Sequence, residues 1–180
     1  MNIFINDEIV NFSKEDFPVL INGADKRGAS FFSIVLLANL FKNGHKVLLF
    51  SAYPPAKEEF KKQLGDLING NALIVESGDE DNFISEIDNI IDLPERIILF
   101  KNIENYSIKL FDKLKNQKLI IFSGDVDKCE FGEHLAGKSF NTKIFFSYSD
   151  KIKIENKVDL PKYSGYIESS KYNGLIKLGD

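Results

Sequence analysis

Residues 17–41 read FPVLINGADKRGASFFSIVLLANLF, a short apolar run, a glycine-bounded polar loop and a long apolar stretch. Phe17–Ile21 suits a buried strand. Gly23 and Gly28 enclose Ala24, Asp25, Lys26 and Arg27, and Ala29 and Ser30 follow. That is the spacing of the phosphate-binding loop G-x-x-x-x-G-K-[ST], with both glycines and the hydroxyl in place but Ala29 in the lysine slot. In such a loop the glycines let backbone N–H groups curl round phosphates, the lysine reaches the terminal phosphates and the hydroxyl holds magnesium. Alanine brings no charge. The stretch therefore predicts a strand, a phosphate-type loop and a helix, with the loop's own cation missing.

Working outward, strands and helices alternate. Ser30–Phe41 is apolar almost all round, the pattern of a helix buried on several sides, and Asn43-Gly44 stops it. Lys46–Ser51 predicts a strand. Pro54-Pro55 opens a helix over Ala56–Leu64, with Glu58 and Glu59 where the helix dipole favours acids. Ala72–Glu76 is a third strand. Phe83, Ile84, Ile87, Ile90 and Ile91 mark one side of an amphipathic helix. Arg96–Phe100, a helix from Ser107 to Asn116, Lys118–Ser123 and Lys143–Ser147 complete the series. The strand segments are continuously apolar, as in a parallel sheet covered on both faces. From residue 150 the pattern changes. Ile152–Glu155, Ser164–Ser169 and Leu175–Leu178 are short, and Lys171 to Gly174 predicts a hairpin turn. Residues 150–180 read as an antiparallel extension of the same sheet, and residues 1–16 as an edge strand or arm. The expectation is one α/β domain over residues 1–180, three layers deep, with helices on both faces of a mainly parallel sheet.

The bulk composition fits that expectation. The chain is 43% apolar and 28% charged, with a net charge of −4, which argues against broad non-specific affinity for nucleic acid. One cysteine, Cys129, leaves no internal disulfide and suits a reducing, cytoplasmic setting. The start, MNIFINDEIVNF, has no basic segment leading into an apolar core, so it does not read as a secretory signal. No apolar run approaches the roughly 18–20 residues that span a bilayer. A soluble protein without a membrane partner is expected.

The order of elements resembles the RecA-like ATPases, and among them the KaiC-type branch. The resemblance runs from Phe17 to the C-terminus. It rests on the loop, on FKNGHKVLLFSAYPPAKEEFKKQLGDLINGNALIVES, and on the closing stretches KIFFSYSDKIKIE and GYIESSKYNGLIKLG. It implies an ATP-binding fold, and it exposes three departures. Ala29 replaces the loop lysine. The activating glutamate expected after the second strand falls near Ala52, Tyr53 and Pro54. The aspartate that anchors magnesium falls at Phe100 or Lys101, and a cation there repels the metal. Together these losses remove the phosphate clamp, the water activator and the metal anchor. The resemblance thus implies a degenerate, non-hydrolysing member with no catalytic residues and no resident metal or cofactor. Such members act as structural or regulatory subunits, partnered by themselves or by a RecA-like paralogue.

Two alternatives stand beside it. Lys26 or Arg27, with the backbone amides at the helix start, would let an atypical protein bind ATP or another nucleotide. The lysines and tyrosines of the last thirty residues, Lys162, Tyr166, Lys171 and Tyr172 among them, would form a nucleic-acid face with tyrosines stacking on bases. The bland counterpart is the polar side of a hairpin, with lysines guarding its edge. Glu76, Asp79, Glu80, Asp81, Asp125 and Asp127 cluster after strands where open sheets bind ligands, but they read more simply as solvated loop acids. His45 reads as part of a turn and His134 as part of a polar loop, without zinc spacing. The aromatic content, 16 Phe and 6 Tyr, is assigned mainly to the core.

Overall fold

The computed structural model describes the chain except for residues 1, 6–7, 25–26, 53–55, 77–78, 91–95, 153, 155–157, 162–163 and 180. In chain order the elements are β1 (Asn2–Ile5), β2 (Glu8–Ile9), β3 (Val19–Asn22), α1 (Ala29–Lys42), β4 (Lys46–Ser51), α2 (Ala56–Leu64), β5 (Ala72–Glu76), α3 (Glu80–Ile90), β6 (Arg96–Lys101), α4 (Ile108–Leu114), β7 (Ile120–Gly124), α5 (Gly132–Gly137), β8 (Thr142–Phe145), β9 (Gly165–Ser169) and β10 (Asn173–Gly179). The strands form one sheet in the order β2-β1-β10-β9-β8-β3-β7-β6-β4-β5. From β8 to β5 every pairing is parallel. From β8 outward through β9, β10, β1 and β2 every pairing is antiparallel.

Two apolar layers explain the unbroken hydrophobic strands. Successive side chains point to opposite faces. Val19 and Ile21 go to the α1 and α2 side with Val47, Leu49, Leu99 and Ile121. Leu20 goes to the α3, α4 and α5 side with Phe50, Phe100 and Phe122. Each such fully buried side chain contributes about 1.5–3 kcal/mol. Helix α1 buries residues all round because it lies under α2 and over the sheet, and also meets β1. Both layers hold aromatic rings, and the stacked pairs lie in the second. Phe111 stacks on Phe131 with centroids 4.9 Å apart, and Phe100 on Tyr106 at 4.4 Å. Among the described aromatics only Phe31 stands out as strongly exposed, at 44%.

Several local expectations change. The hairpin turn falls at Ser170-Lys171 rather than across Lys171–Gly174. Asn173 already pairs with Glu168, and the Ser169 amide donates to the Tyr172 carbonyl at 2.8 Å. The Ser169 hydroxyl accepts from the Lys171 and Tyr172 amides, so a serine-based turn prevails over the Asn-Gly signal. Ile152 and Ile154 are not in a strand; they pack as loop residues on the second apolar layer. His134 sits in helix α5, edge-on to Phe111 at 6.0 Å, not in a loop. Packing of Leu135 beneath it outweighs the two glycines that bound this short helix. Ile91 lies outside the described residues.

Candidate functional site

The loop and its helix start lie at the carboxyl end of the parallel strands, the edge where open α/β sheets hold ligands. β3 ends at Asn22, whose side chain ties this edge together. Its amide donates to the Ser147 carbonyl at 2.6 Å, and its Oδ1 accepts from the Val126 amide at 3.0 Å. The Gly23 amide donates to the Gly124 carbonyl at 3.1 Å, and the Ala24 amide to the Ser147 hydroxyl at 2.8 Å. Arg27 turns back to the Ala24 carbonyl, and Gly28 takes the left-handed conformation, φ 114°, that starts α1. Asp25 and Lys26 lie outside the described residues.

Ala29 is 6% exposed and faces inward. A Cβ added to Gly23 would fall 2.6 Å from the Ala29 Cβ and 3.1 Å from the Phe146 Cβ. The root of the loop therefore lies directly on the first turn of the helix. Ser30 is exposed. Ser33, one turn on, is buried; its hydroxyl donates to the Ala29 carbonyl and lies 3.1 Å from the Ser123 hydroxyl. The first turn of α1 carries no acid and no side-chain cap, so its amides keep the partial positive charge of a helix start. Arg27 is exposed beside it, with no ion-pair partner among the described residues.

Lys101 ends β6. Strand register aligns it with Ser51 of β4 and Ser123 of β7, on the same face of the sheet as α1. It is 7% exposed. Its ammonium lies 5.0 Å from the centroid of the Phe60 ring, a cation–π approach. Burial pulls its pKa below the usual 10.5, against the opposing pull of Glu59 and Glu104. Asn102 follows in the left-handed region, φ 62°, and accepts a hydrogen bond from Ser51 at 3.4 Å. Tyr53 lies outside the described residues, while its neighbour Ala52 is half-buried.

The acids at this edge serve the fold. Glu80 accepts from both the amide and the hydroxyl of Ser107. Asp125 accepts from the Asp127 amide and pairs with Lys128 at 3.3 Å; Asp127 accepts from Ser149 at 2.6 Å. Asp79 accepts from the Asp81 amide. Among the described residues no three acids, histidines or cysteines converge in a way that could hold a metal. Glu104, which the sequence reading did not single out, accepts from the Asp125 amide at 3.0 Å and lies against Gly124. Nothing in the sequence around it marks that long-range contact. With Ala29 in the clamp position and an ammonium at the end of β6, the residues present do not fit a magnesium–triphosphate group.

Two ionisable groups nearby are buried. Cys129 is buried, and burial pushes its thiol up to about 12, so the thiolate is scarce at neutral pH. Tyr106 carries a buried hydroxyl close to the Ala52 backbone. Burial, then Glu104 and Glu80, raise its pKa far above its usual 10.

Of the alternative nucleic-acid face, the described residues Tyr166, Lys171 and Tyr172 are engaged within the fold. Lys162 lies outside the described residues. Tyr166 is 4% exposed in the core, its hydroxyl donating to Asn173. Lys171 donates to the Ser13 hydroxyl at 3.0 Å and pairs with Glu15 at 3.1 Å and Asp16 at 3.5 Å. Tyr172 is half-buried and reaches the Asn11 carbonyl. These residues clamp the hairpin to the N-terminal segment because the buried Asp16 draws the ammonium in.

No family model and no curated protein matches the chain. Solved structures do. The flagellar accessory protein FlaH from Methanocaldococcus jannaschii is similar over 86% of this chain and 78% of its own, with 17% identity and a TM-score of 0.52. No helix among the described residues is long and apolar enough to cross a membrane. At that identity the likeness is one of architecture, and the architecture is a RecA-like α/β fold with an antiparallel extension at one edge of its sheet.

Proposed function

We propose that this chain is a RecA/KaiC-like scaffold that does not cleave triphosphates and works as a structural or regulatory subunit through protein–protein contact. The observation that carries the reading is Lys101. A buried ammonium stands at the carboxyl end of β6, aligned with Ser123 beside α1. A magnesium ion there would need carboxylates and would meet a like charge instead. Ala29, packed against Gly23, removes the second cation that transfer of a phosphoryl group uses. What remains is a loop root at Gly23 and a buried helix that hold the fold. FlaH, named as an accessory protein, shares the architecture, which is in keeping with a helper's role. Phosphate-release assays with ATP and GTP plus magnesium test the reading. The expected result is no turnover above buffer; turnover lost on Lys26→Ala/Arg27→Ala substitution would overturn it.

One observation favours a second reading, nucleotide binding without hydrolysis. Arg27 is exposed beside the uncapped start of α1, an arrangement that attracts anions. Calorimetry with ATP, with and without magnesium, separates the two: saturable binding that Arg27→Ala abolishes supports it.

A further inference from the structure

The sheet ends on two unlike edges. At one end β2 is two residues long, with Glu8 exposed, the kind of short charged edge that resists further pairing. At the other end β5 is five residues, ALIVE, with no proline, lysine or bulge, and no described strand covers its outer side. The Val47 amide donates to the Asn71 carbonyl at 2.9 Å, which sets the phase of the strand. The peptide groups of residues 71, 73 and 75 face β4, and those of Ala72, Ile74 and Glu76 face outward. Leu73 is 40% exposed on the α3 side, and Leu67, in the turn just before the strand, is 38% exposed.

We propose that β5 pairs with β5 of a second copy of this chain, antiparallel and centred on Ile74, so that two sheets join across a two-fold axis. The proposal rests on the reading of the chain as an assembly component, and it names the partner. In this register Ile74 meets Ile74 of the copy, and Ala72 meets Glu76. These are the residues whose peptide groups point outward, so each pair exchanges both of its hydrogen bonds. Leu73 meets Val75 of the copy on the α3 face, an apolar cross-strand pair that covers the exposed leucine. No like charges stand opposite one another along the strand. A one-residue slip would turn every side chain to the wrong face and lose the bonds.

The flanking helices suit a copy that runs the other way. α2 exposes Glu58 in its first turn and Lys61 and Lys62 in its last, so an antiparallel neighbour sets acid beside base. In α3, Asp88 pairs with Lys113 of α4 and Glu80 with Ser107. That flank faces away from β5. The opposite flank carries Asn82, Glu86 and Asn89, a single charge. A two-fold contact of this kind is isologous and closes at two chains.

Light scattering and sedimentation equilibrium on the full chain test it, up to roughly 0.1 mM, the weak end of useful affinity. The expected mass is twice 20.4 kDa. Leu73→Lys, at a surface position, is expected to weaken dimerisation at least tenfold while circular dichroism stays unchanged. Ile74→Cys adds a register test. A residue facing its own copy in a hydrogen-bonded pair has its Cα about 5.5 Å away, within disulfide reach, so mild oxidation crosslinks it. Leu73→Cys, offset from itself by two positions, does not crosslink. Cys129 is buried and does not compete. A single-chain mass at every concentration overturns the proposal, as does a dimer indifferent to Leu73→Lys. Neither result bears on hydrolysis, so the functional reading and this one fail separately.

Discussion

The Lys101 ammonium sits 5.0 Å from the centre of the Phe60 ring, tucked under the first turns of α2 instead of reaching into water. A lysine in this position loses solvation and gains a ring face and the distant pull of Glu59 and Glu104, and the loss dominates. Lys101→Met should therefore be neutral or stabilising by up to about 2 kcal/mol, since an apolar side chain of similar length replaces a costly buried charge.

The same residue gives that prediction a pH signature. Its folded pKa lies below the usual 10.5, so between those two values the unfolded chain binds more protons and wild-type stability rises with pH. The advantage of Lys101→Met is then greatest at about pH 7 and shrinks by about pH 10. Urea unfolding at both pH values checks it. A variant clearly less stable than wild type at neutral pH would show that the ammonium holds the fold.

Ala29→Lys should not restore hydrolysis. On the proposed reading two roles stay unfilled, at Tyr53 and at Lys101, and the buried Ala29 site is tight. Its Cβ lies under Gly23, so a lysine must bend out past the loop and is expected to cost about 1–3 kcal/mol. Thermal unfolding reads the cost and phosphate release reads the chemistry. Turnover in this single variant would mean that the loop lysine was the only part missing.

Much of this was legible in the sequence. The limits of β4 and β5 follow directly from KVLLFS and ALIVE, continuous apolar runs between turn residues, and those of α2 from AKEEFKKQL, a charged stretch set between Pro55 and Gly65 with acids first and bases last. The strand RIILF with Lys101 at its end was equally plain. The internal wiring of the edge was not. Asn22, Ser147 and Glu104 act on residues about 20 to 125 positions away, which no local pattern encodes. Tyr166 was misread for a related reason. Its alternation with lysines looks like a surface, yet the strand register sets it opposite Phe145, inward on the α3, α4 and α5 side of the sheet.

Gly124 is the position where the edge tolerates least change. A Cβ there would come 2.8 Å from the Ile103 amide nitrogen and 2.8 Å from the Ile103 Cγ1, and would collide with the Glu104 carboxylate. Gly124→Ala is expected to cost about 2–4 kcal/mol by forcing backbone apart. Glu104→Ala, which only leaves the Asp125 amide without its acceptor, should cost about 1–2 kcal/mol. Denaturant midpoints compare the two, and the order Gly124 worse than Glu104 is the test.

The C-terminal hairpin offers a clean discrimination between structure and recognition. If Tyr166 holds the core, Tyr166→Ala removes a buried ring and costs about 3–4 kcal/mol, while Tyr166→Phe keeps the ring and gives up the hydroxyl's bond to Asn173, about 1 kcal/mol. If it stacked on bases, Tyr166→Phe would leave stability alone and Tyr166→Ala would weaken binding to a single-stranded oligonucleotide by about 1–3 kcal/mol. Fluorescence anisotropy at low salt, run beside thermal unfolding on the same samples, reads both. Lys171 adds the electrostatic half. Its ammonium is held by Glu15 and Asp16, so Lys171→Ala should lower the melting temperature slightly, loosen protection of the Ser13–Asp16 amides to hydrogen exchange, and leave anisotropy unchanged. A steep salt-dependent loss of oligonucleotide binding in Lys171→Ala would instead reinstate the hairpin as a nucleic-acid surface.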